Sequence, residues 1–223
     1  MSNGRIVFTA KGGGNEIGGS HYHYLFGDEL VAVDCGLRPS NFNSDIHPVK
    51  IWDRELQNFL DDMLVKPTID PLPNLNTSSE IKTLLLTHGH LDHVGAVPYL
   101  LRKHRYTTVY ATPVTAAICK IQWFSTPLIA ERKGEVPLFN NSDVEFALSR
   151  IVEVQPGRRI RINNELEVEP VDAGHLLGAV SFIFYLNGVP VGFHTGDLTL
   201  RNNQRTVTDA PRAEFDRLHF LTI

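Results

Sequence analysis

Along the first part of the chain, apolar and polar positions alternate with a period of two. "RIVFTA" (5–10), "HYHYLF" (21–26) and "ELVAVD" (29–34) each read as a strand. The first two are separated by the glycine-rich loop "KGGGNEIGGS". Over 50–64, "KIWDRELQNFLDDML", the period changes, and Trp52, Leu56, Phe59, Leu60 and Met63 share one face of a predicted helix. The prolines, asparagines and serines of 66–79 read as loop. "IKTLLLT" (81–87) is a nearly unbroken apolar run and predicts a buried strand, followed by a short helix from Val94 to His104. "TTVYAT" (107–112) predicts the next strand. Thr112 then caps a helix that opens with Pro113 and runs through "VTAAICKIQWF". "SDVE" (142–145) has the form of a capping box and predicts one more helix start. The pattern then returns to strands: "RIVEV", "RRIRI", "ELEVEPV", "SFIFYL" and "VPVGFHT". The last two are joined by Asn187-Gly188, a hairpin signal. Strands, helices and strands in this order predict an α/β (α+β) fold in which two sheets pack face to face with helices outside.

Composition narrows the functional classes. The chain has 223 residues, enough for one domain with a full core. Its 21 basic and 25 acidic residues give a formal charge of −4, so any nucleic-acid contact has to be local. The two cysteines, Cys35 and Cys119, form no paired motif, which points to a reducing compartment. The N-terminus has no long apolar run of a signal peptide, and no segment is long enough to span a bilayer. The expectation is a cytoplasmic protein with no membrane partner.

The candidate chemistry is concentrated in "THGHLDH" (87–93), where three histidines and an aspartate fall within six residues directly after an apolar strand. Imidazole and carboxylate together suit zinc and similar divalent ions. His88 and His90 flank Gly89 and can be aimed one way, while Asp92 and His93 can turn toward a second ion. Two further positions have the same setting, a single polar residue beside glycine where a strand ends. They are His175 in "DAGHLLGAVSF" and Asp197 in "HTGDL".

"THGHLDH", "AGHLLGA" and "TGD" in this order resemble the metallo-β-lactamase fold, an αββα sandwich. The form "DAGHLLGA" and the N-terminal "GGGNEIGGSHYHYLFGDELVAVDCG" resemble its β-CASP nuclease branch, typified by the mRNA 3′-end cleavage endonuclease. The resemblance implies two divalent ions, zinc by expectation. His88, His90 and His175 would hold one, Asp92 and His93 the other, and Asp197 would bridge them. It also implies a hydroxide activated by both ions as nucleophile, with Asp92 and Asp197 in the catalytic centre, acting on a phosphodiester of RNA or DNA. Asp34, in "DCG", would orient a histidine from behind, or else be a buried turn carboxylate. Arg201, just beyond Asp197, would contact a substrate phosphate.

The resemblance stops short of the family's full pattern. The branch continues into an inserted domain and late histidines, whereas this sequence reaches "RAEFDRLHFLTI". The organisation expected is one metallo-β-lactamase-type domain over 1–223, incomplete at its C-terminal side, with a helical insertion at about 45–66. Three explanations stand: a fragment, one piece of a split enzyme completed by a second polypeptide, or a reduced protein. Two rival functions stand beside the nuclease: a metallohydrolase of small esters, thioesters or lactams, and a non-catalytic partner subunit. His21 and His23 share a strand face and are read as structural. His194 is read as a packing residue. His47 is read as solvated, as are the arginines of "GRRIRI". The glycine loop 11–19 does not fit a phosphate-binding loop and reads as a flexible rim or a packing turn near the metals.

Overall fold

In a computed structural model of the protein, residues 5–14, 16, 18–38, 71–77, 79–199 and 218–223 are described. The predicted helix over 50–64, His47 and Arg201 lie outside them.

Six strands form the first sheet, in sequence order: β1 (Ile6–Gly12), β2 (His21–Phe26), β3 (Glu29–Val33), β4 (Thr83–Leu85), β5 (Thr108–Ala111) and β6 (Ile151–Glu153). The first three are antiparallel neighbours, and β3 to β6 run parallel. Five strands form the second sheet: β7 (Ile160–Arg161), β8 (Leu166–Asp172), β9 (Val180–Leu186), β10 (Val189–His194) and β11 (Phe220–Thr222), in the order β11-β10-β9-β8-β7. Asn187 and Gly188 both take positive φ, 52° and 79°, and place Val189 opposite Leu186. This is the turn that matches the strand twist.

The period-two pattern decides which side chain enters which layer. Val31 and Val33 of β3 meet Tyr24, Phe26 and Leu85 from their own sheet and Val168, Phe182 and Phe184 from the second, closing the core between the sheets. Leu30 and Ala32 point the other way and join Leu84, Leu86 and the helices. Those helices are α1 (Leu91–Val94), α2 (Val97–Leu100), α3 (Pro113–Arg132) and α4 (Asn141–Ser149). They cover the outer face of the first sheet. The two sheets and this helical layer are three of the four layers of the predicted αββα sandwich.

The structure differs from the sequence reading at several element ends. The helix expected from Val94 to His104 is instead the two short turns α1 and α2, because Gly95 and Ala96 interrupt it. The capping box lies two residues earlier than "SDVE": Asn140 is the cap, and its side chain and that of Asp143 bond each other's backbone amides. The helix α3 continues past Phe124 to Arg132 and contains Pro127, with the hydroxyls of Ser125 and Thr126 bonding back to the carbonyls of Ile121 and Gln122. Of "RRIRI", only Ile160 and Arg161 pair, at the sheet edge.

Candidate metal centre

All the candidate ligands leave the C-terminal ends of strands. β3 and β4 are parallel neighbours, so Asp34 and the 87–93 segment emerge side by side. β8 and β10 are both antiparallel to β9, so the segments carrying His175 and Asp197 emerge on one edge of the second sheet. The two edges touch: Val180 N donates to Thr87 O at 2.8 Å. Gly196 takes φ +55°, and a Cβ there would come within 2.8 Å of Thr87. Thr112, the cap of α3, holds the His175 loop from a third side, since its hydroxyl and that of Thr115 bond Gly178 O at 2.7 and 3.1 Å.

The 87–93 segment is fixed mainly by its backbone. The carbonyls of Leu91, Asp92 and His93 accept from the amides of Leu37, Ser20 and Cys35 at 2.9, 2.9 and 2.7 Å. Gly36 allows this approach, because a Cβ there would lie 1.6 Å from Asp92 O. Trp123 Nε1 donates to Val94 O at 2.9 Å and ties the end of α1 to α3.

Ligand-atom positions then follow from a hydrogen-bond chain centred on Asp34. This residue is fully buried and has φ +56°, a conformation that aspartate tolerates better than most residues. Its Oδ1 accepts Thr87 N at 2.8 Å, and its Oδ2 accepts Thr87 Oγ1 at 2.7 Å. His93 Nδ1 lies 2.8 Å from Oδ2 and donates to it, so Nε2 is its free lone pair. Thr87 has given its only hydrogen to Asp34, so it accepts from His88 Nδ1 at 3.0 Å, and His88 Nε2 is likewise left bare. Sequence reasoning assigned Thr87 no role, although it stands at the head of "THGHLDH".

The free atoms converge. One ligand atom each from His88, His90, His175 and Asp197 lies within 4.8 Å of every other. His88 Nε2 is 2.9 Å from His90 Nδ1, and His175 Nε2 is 3.3 Å from His90 Nδ1. Asp197 Oδ2 is 3.5 Å from His175 Nε2 and 3.8 Å from His88 Nε2. Four ligands about 2 Å from a tetrahedral ion stand about 3.3 Å from one another, so the donor set fits such an ion. A second group adjoins it. His93 Nε2 is 3.3 Å from Asp197 Oδ1 and 3.9 Å from Asp92 Oδ2. Asp197 therefore presents one oxygen to each group. His21 and His23 stay outside this cluster: His21 Nδ1 is 2.6 Å from Asp34 O, and its Nε2 is 3.0 Å from His23 Nε2.

The electrostatics favour bound cations. Burial, reinforced by the neighbouring His93, holds His88 down at about 3, so its lone pair stays available. Burial also disfavours the His93 cation, but the carboxylates of Asp34 and Asp197 outweigh it and push His93 up to about 10. The hydrogen bond from His93 holds Asp197 well below the usual carboxylate range, against its own burial. Two carboxylates thus ask for positive charge at His93 Nε2, which a metal ion can supply in place of a proton.

Beside the cluster is a cavity of about 220 Å³, lined by Asp92, His93 and Asp197, by Tyr22, His194 and Thr222, and by glycines of the 13–18 loop. The glycine loop is thus a rim of the site, in keeping with its sequence reading. His194 is buried, and its cavity position was not read from the sequence, although it lies on the strand leading to Asp197.

Comparisons with known proteins agree with this architecture. The family profile described as "Metallo-beta-lactamase superfamily" matches residues 77–222. The chain is 27% identical over 212 residues to cleavage and polyadenylation specificity factor subunit 3-I of Arabidopsis thaliana, covering 95% of this chain and 27% of that protein. It is 28% identical over 193 residues to endoribonuclease ysh1 of Schizosaccharomyces pombe, covering 86% of this chain and 22% of that protein. The chain therefore spans less than a third of the length of either relative. Among solved structures, a protein of unknown function from Enterococcus faecalis superposes with a TM-score of 0.51 at 18% identity, covering 87% of this chain and 44% of that one. No helix among the described residues is long and apolar enough to cross a membrane.

Proposed function

The chain belongs to the metallo-β-lactamase superfamily, and from that premise we propose that it carries the metal-binding part of a hydrolase that cleaves phosphodiester bonds of RNA. The observation that carries this reading is the convergence of His88, His90, His175 and Asp197, drawn from three strand ends, on one point. In this reading His88, His90 and His175 would hold one divalent ion and Asp92 and His93 a second, with Asp197 available to either. Zinc suits the imidazole-rich set. Similarity to a protein named an endoribonuclease, and to a cleavage and polyadenylation factor subunit, favours RNA as substrate.

When bound, a pair of such ions lowers the pKa of a water to about 7 and offsets charge on phosphoryl oxygens. The chain's own residues prepare the site for that chemistry. Asp34 keeps His93 in the tautomer whose Nε2 faces Asp197. Thr87 does the same for His88. Asp92 and Asp197 lie at the cavity wall, where a scissile phosphate would be seated. Arg201 follows Asp197 by four positions and is assigned to a substrate phosphate. The second group offers three protein ligands, so a further ligand and a cleft wall would come from additional chain or from a partner polypeptide, in keeping with the greater length of the relatives. Residues 1–223 act in this reading as one metallo-β-lactamase-type domain, in a cytoplasmic setting.

The test is cleavage of an end-labelled RNA oligonucleotide, combined with metal analysis. Two divalent ions per chain and chelator-sensitive scission are expected. Turnover of a chromogenic lactam or thioester, with RNA left intact, would establish the small-molecule rival. No metal and no hydrolysis would leave a non-catalytic subunit.

A further inference from the structure

The metal cluster lies where the parallel strands of the first sheet end. Where β4, β5 and β6 begin there is a second concavity, an open cleft of about 410 Å³. Its lining comes from Glu80 just before β4, from the 102–106 turn before β5, and from Phe146 and Arg150 at the end of α4. Six residues of extended chain, from Lys82 to His88, separate it from the metal cluster, about 20 Å at about 3.3 Å per residue.

Cations converge on this cleft in a chain whose formal charge is −4. Arg102 is neutralised by Asp143, at 2.6 Å. Lys103, Arg105 and Arg150 form no ion pair among the described residues, and Glu80 is the one carboxylate in the lining. Arg150 donates through Nε and Nη2 to the carbonyls of Thr107 and Tyr106 at 2.8 and 3.1 Å, which ties the turn down. Arg105 lays its guanidinium over the Phe146 ring, 4.3 Å from the centroid. That contact uses the flat face, so the N–H edge can still bind two anionic oxygens at once. Tyr106 stands among these cations with 78% of its surface exposed.

Charge alone would suit any polyanion. An exposed aromatic ring beside a guanidinium and an ammonium suits a single-stranded nucleic acid, which offers bases to stack as well as phosphates to pair. We propose that this cleft is an RNA-docking surface: Lys103 and Arg105 take phosphates of a single strand, and Tyr106 stacks on one of its bases, one sheet-length from the metal centre. The proposal rests on the nuclease reading above and adds to it a second point of attachment.

The test is fluorescence anisotropy of a labelled single-stranded RNA long enough to reach both ends of the sheet. It is titrated with the full chain in EDTA, so that neither metal nor cleavage enters the measurement. Lys103→Gln/Arg105→Gln is expected to weaken binding about 10-fold or more, and to lower the slope of log affinity against log salt by about 0.7 for each cation removed. Tyr106→Ala is expected to weaken binding several-fold with the slope unchanged, because stacking releases no counterions. Arg158→Gln/Arg161→Gln, an equal loss of charge elsewhere, is expected to leave binding at the wild-type level. Lys103 and Tyr106 are exposed, so each also serves as a single variant that leaves the packing intact. No binding by the unaltered chain, unchanged affinity and slope in Lys103→Gln/Arg105→Gln, or an equal fall in Arg158→Gln/Arg161→Gln overturns the proposal. So does displacement of the RNA by polyglutamate as readily as by the same RNA without label, which would assign the cleft to an acidic protein segment. The nuclease reading is judged separately, by cleavage of RNA with the metal-loaded chain, and survives any of these results.

Discussion

Two histidine pairs in this chain have the same spacing and different surroundings. His21 and His23 lie on β2 with ring nitrogens 3.0 Å apart. His88 and His90 follow β4 with ring nitrogens 2.9 Å apart. In the first pair, His21 Nδ1 donates to the carbonyl of Asp34, so its Nε2 accepts from His23 and the two rings satisfy each other. In the second, Thr87 takes the back nitrogen of His88, and the front nitrogens face His175 and a carboxylate brought from the other sheet. The spacing alone does not make a metal site. What makes one is the arrival of Asp197 and His175 from separate strand ends, with a buried carboxylate behind to set the tautomers. Burial lowers the pKa of His21 to about 4 and of His23 to about 3, and no carboxylate side chain among their hydrogen-bond partners calls for a cation there.

Substitution separates the two pairs most sharply at His90. His90→Ala is expected to lower hydrolysis about 10³-fold or more and to reduce the metal content, read by elemental analysis of the same samples. His23→Gln is expected to leave the metal content at the wild-type level. Retention of full activity in His90→Ala would remove the distinction altogether.

The structural pair also has a signature in pH, of the same sign as that of His88 and His194. His21 and His23 have folded-state pKa values of about 4 and about 3, below the ordinary 6.5. As pH falls below 6.5 the unfolded chain takes up protons that the fold resists. Stability is therefore complete above pH 6.5 and is lost as pH drops toward 4, by an amount on the order of 3 kcal/mol for each ring. Urea unfolding of metal-free protein at pH 7 and 4.5 measures it, and a doubly substituted His21→Gln/His23→Gln chain should show a flatter dependence.

Smaller effects sharpen the metal side. Asp34→Asn keeps the shape but removes the charge behind His93, and should weaken metal binding about 10- to 100-fold in a chelator competition. Thr112→Val removes the cap of α3 and one anchor of the Gly178 carbonyl. A loss of about 1 kcal/mol in stability is expected, with a several-fold weaker metal affinity as the His175 loop loosens. If metal affinity is unchanged, the loop is held by its other contacts alone.

Much of this was legible in the sequence because its signals are local. The ligand segment 88–93 follows an apolar strand directly. Asn187-Gly188 fixes the register of its hairpin, and Thr112-Pro113 marks a helix start. What was not legible depends on contacts between distant residues. Asn140 and Ser142 each open a capping-box pattern, and only the packed helix decides between them. "RRIRI" has strand propensity, yet an edge with one neighbour pairs only two of its residues. The parallel pairing of β3 with β4 sets Asp34 behind Thr87, and no sequence spacing reports that. His194 was read for packing and is buried, but its tautomer depends on Tyr24 and Thr222, 170 and 28 residues away.

The backbone bonds from Ser20, Cys35 and Leu37 to the carbonyls of α1 have a consequence for handling the protein. They involve no ligand side chain and no ion, so stripping with EDTA should empty the centre without melting it, and the far-ultraviolet circular dichroism should stay as it was. Folding and loading are then separate events, and a chain assembled without zinc can be filled afterwards. Which cation is resident would follow from the supply at the moment of filling, and exchanging it for cobalt or manganese should need dialysis rather than refolding.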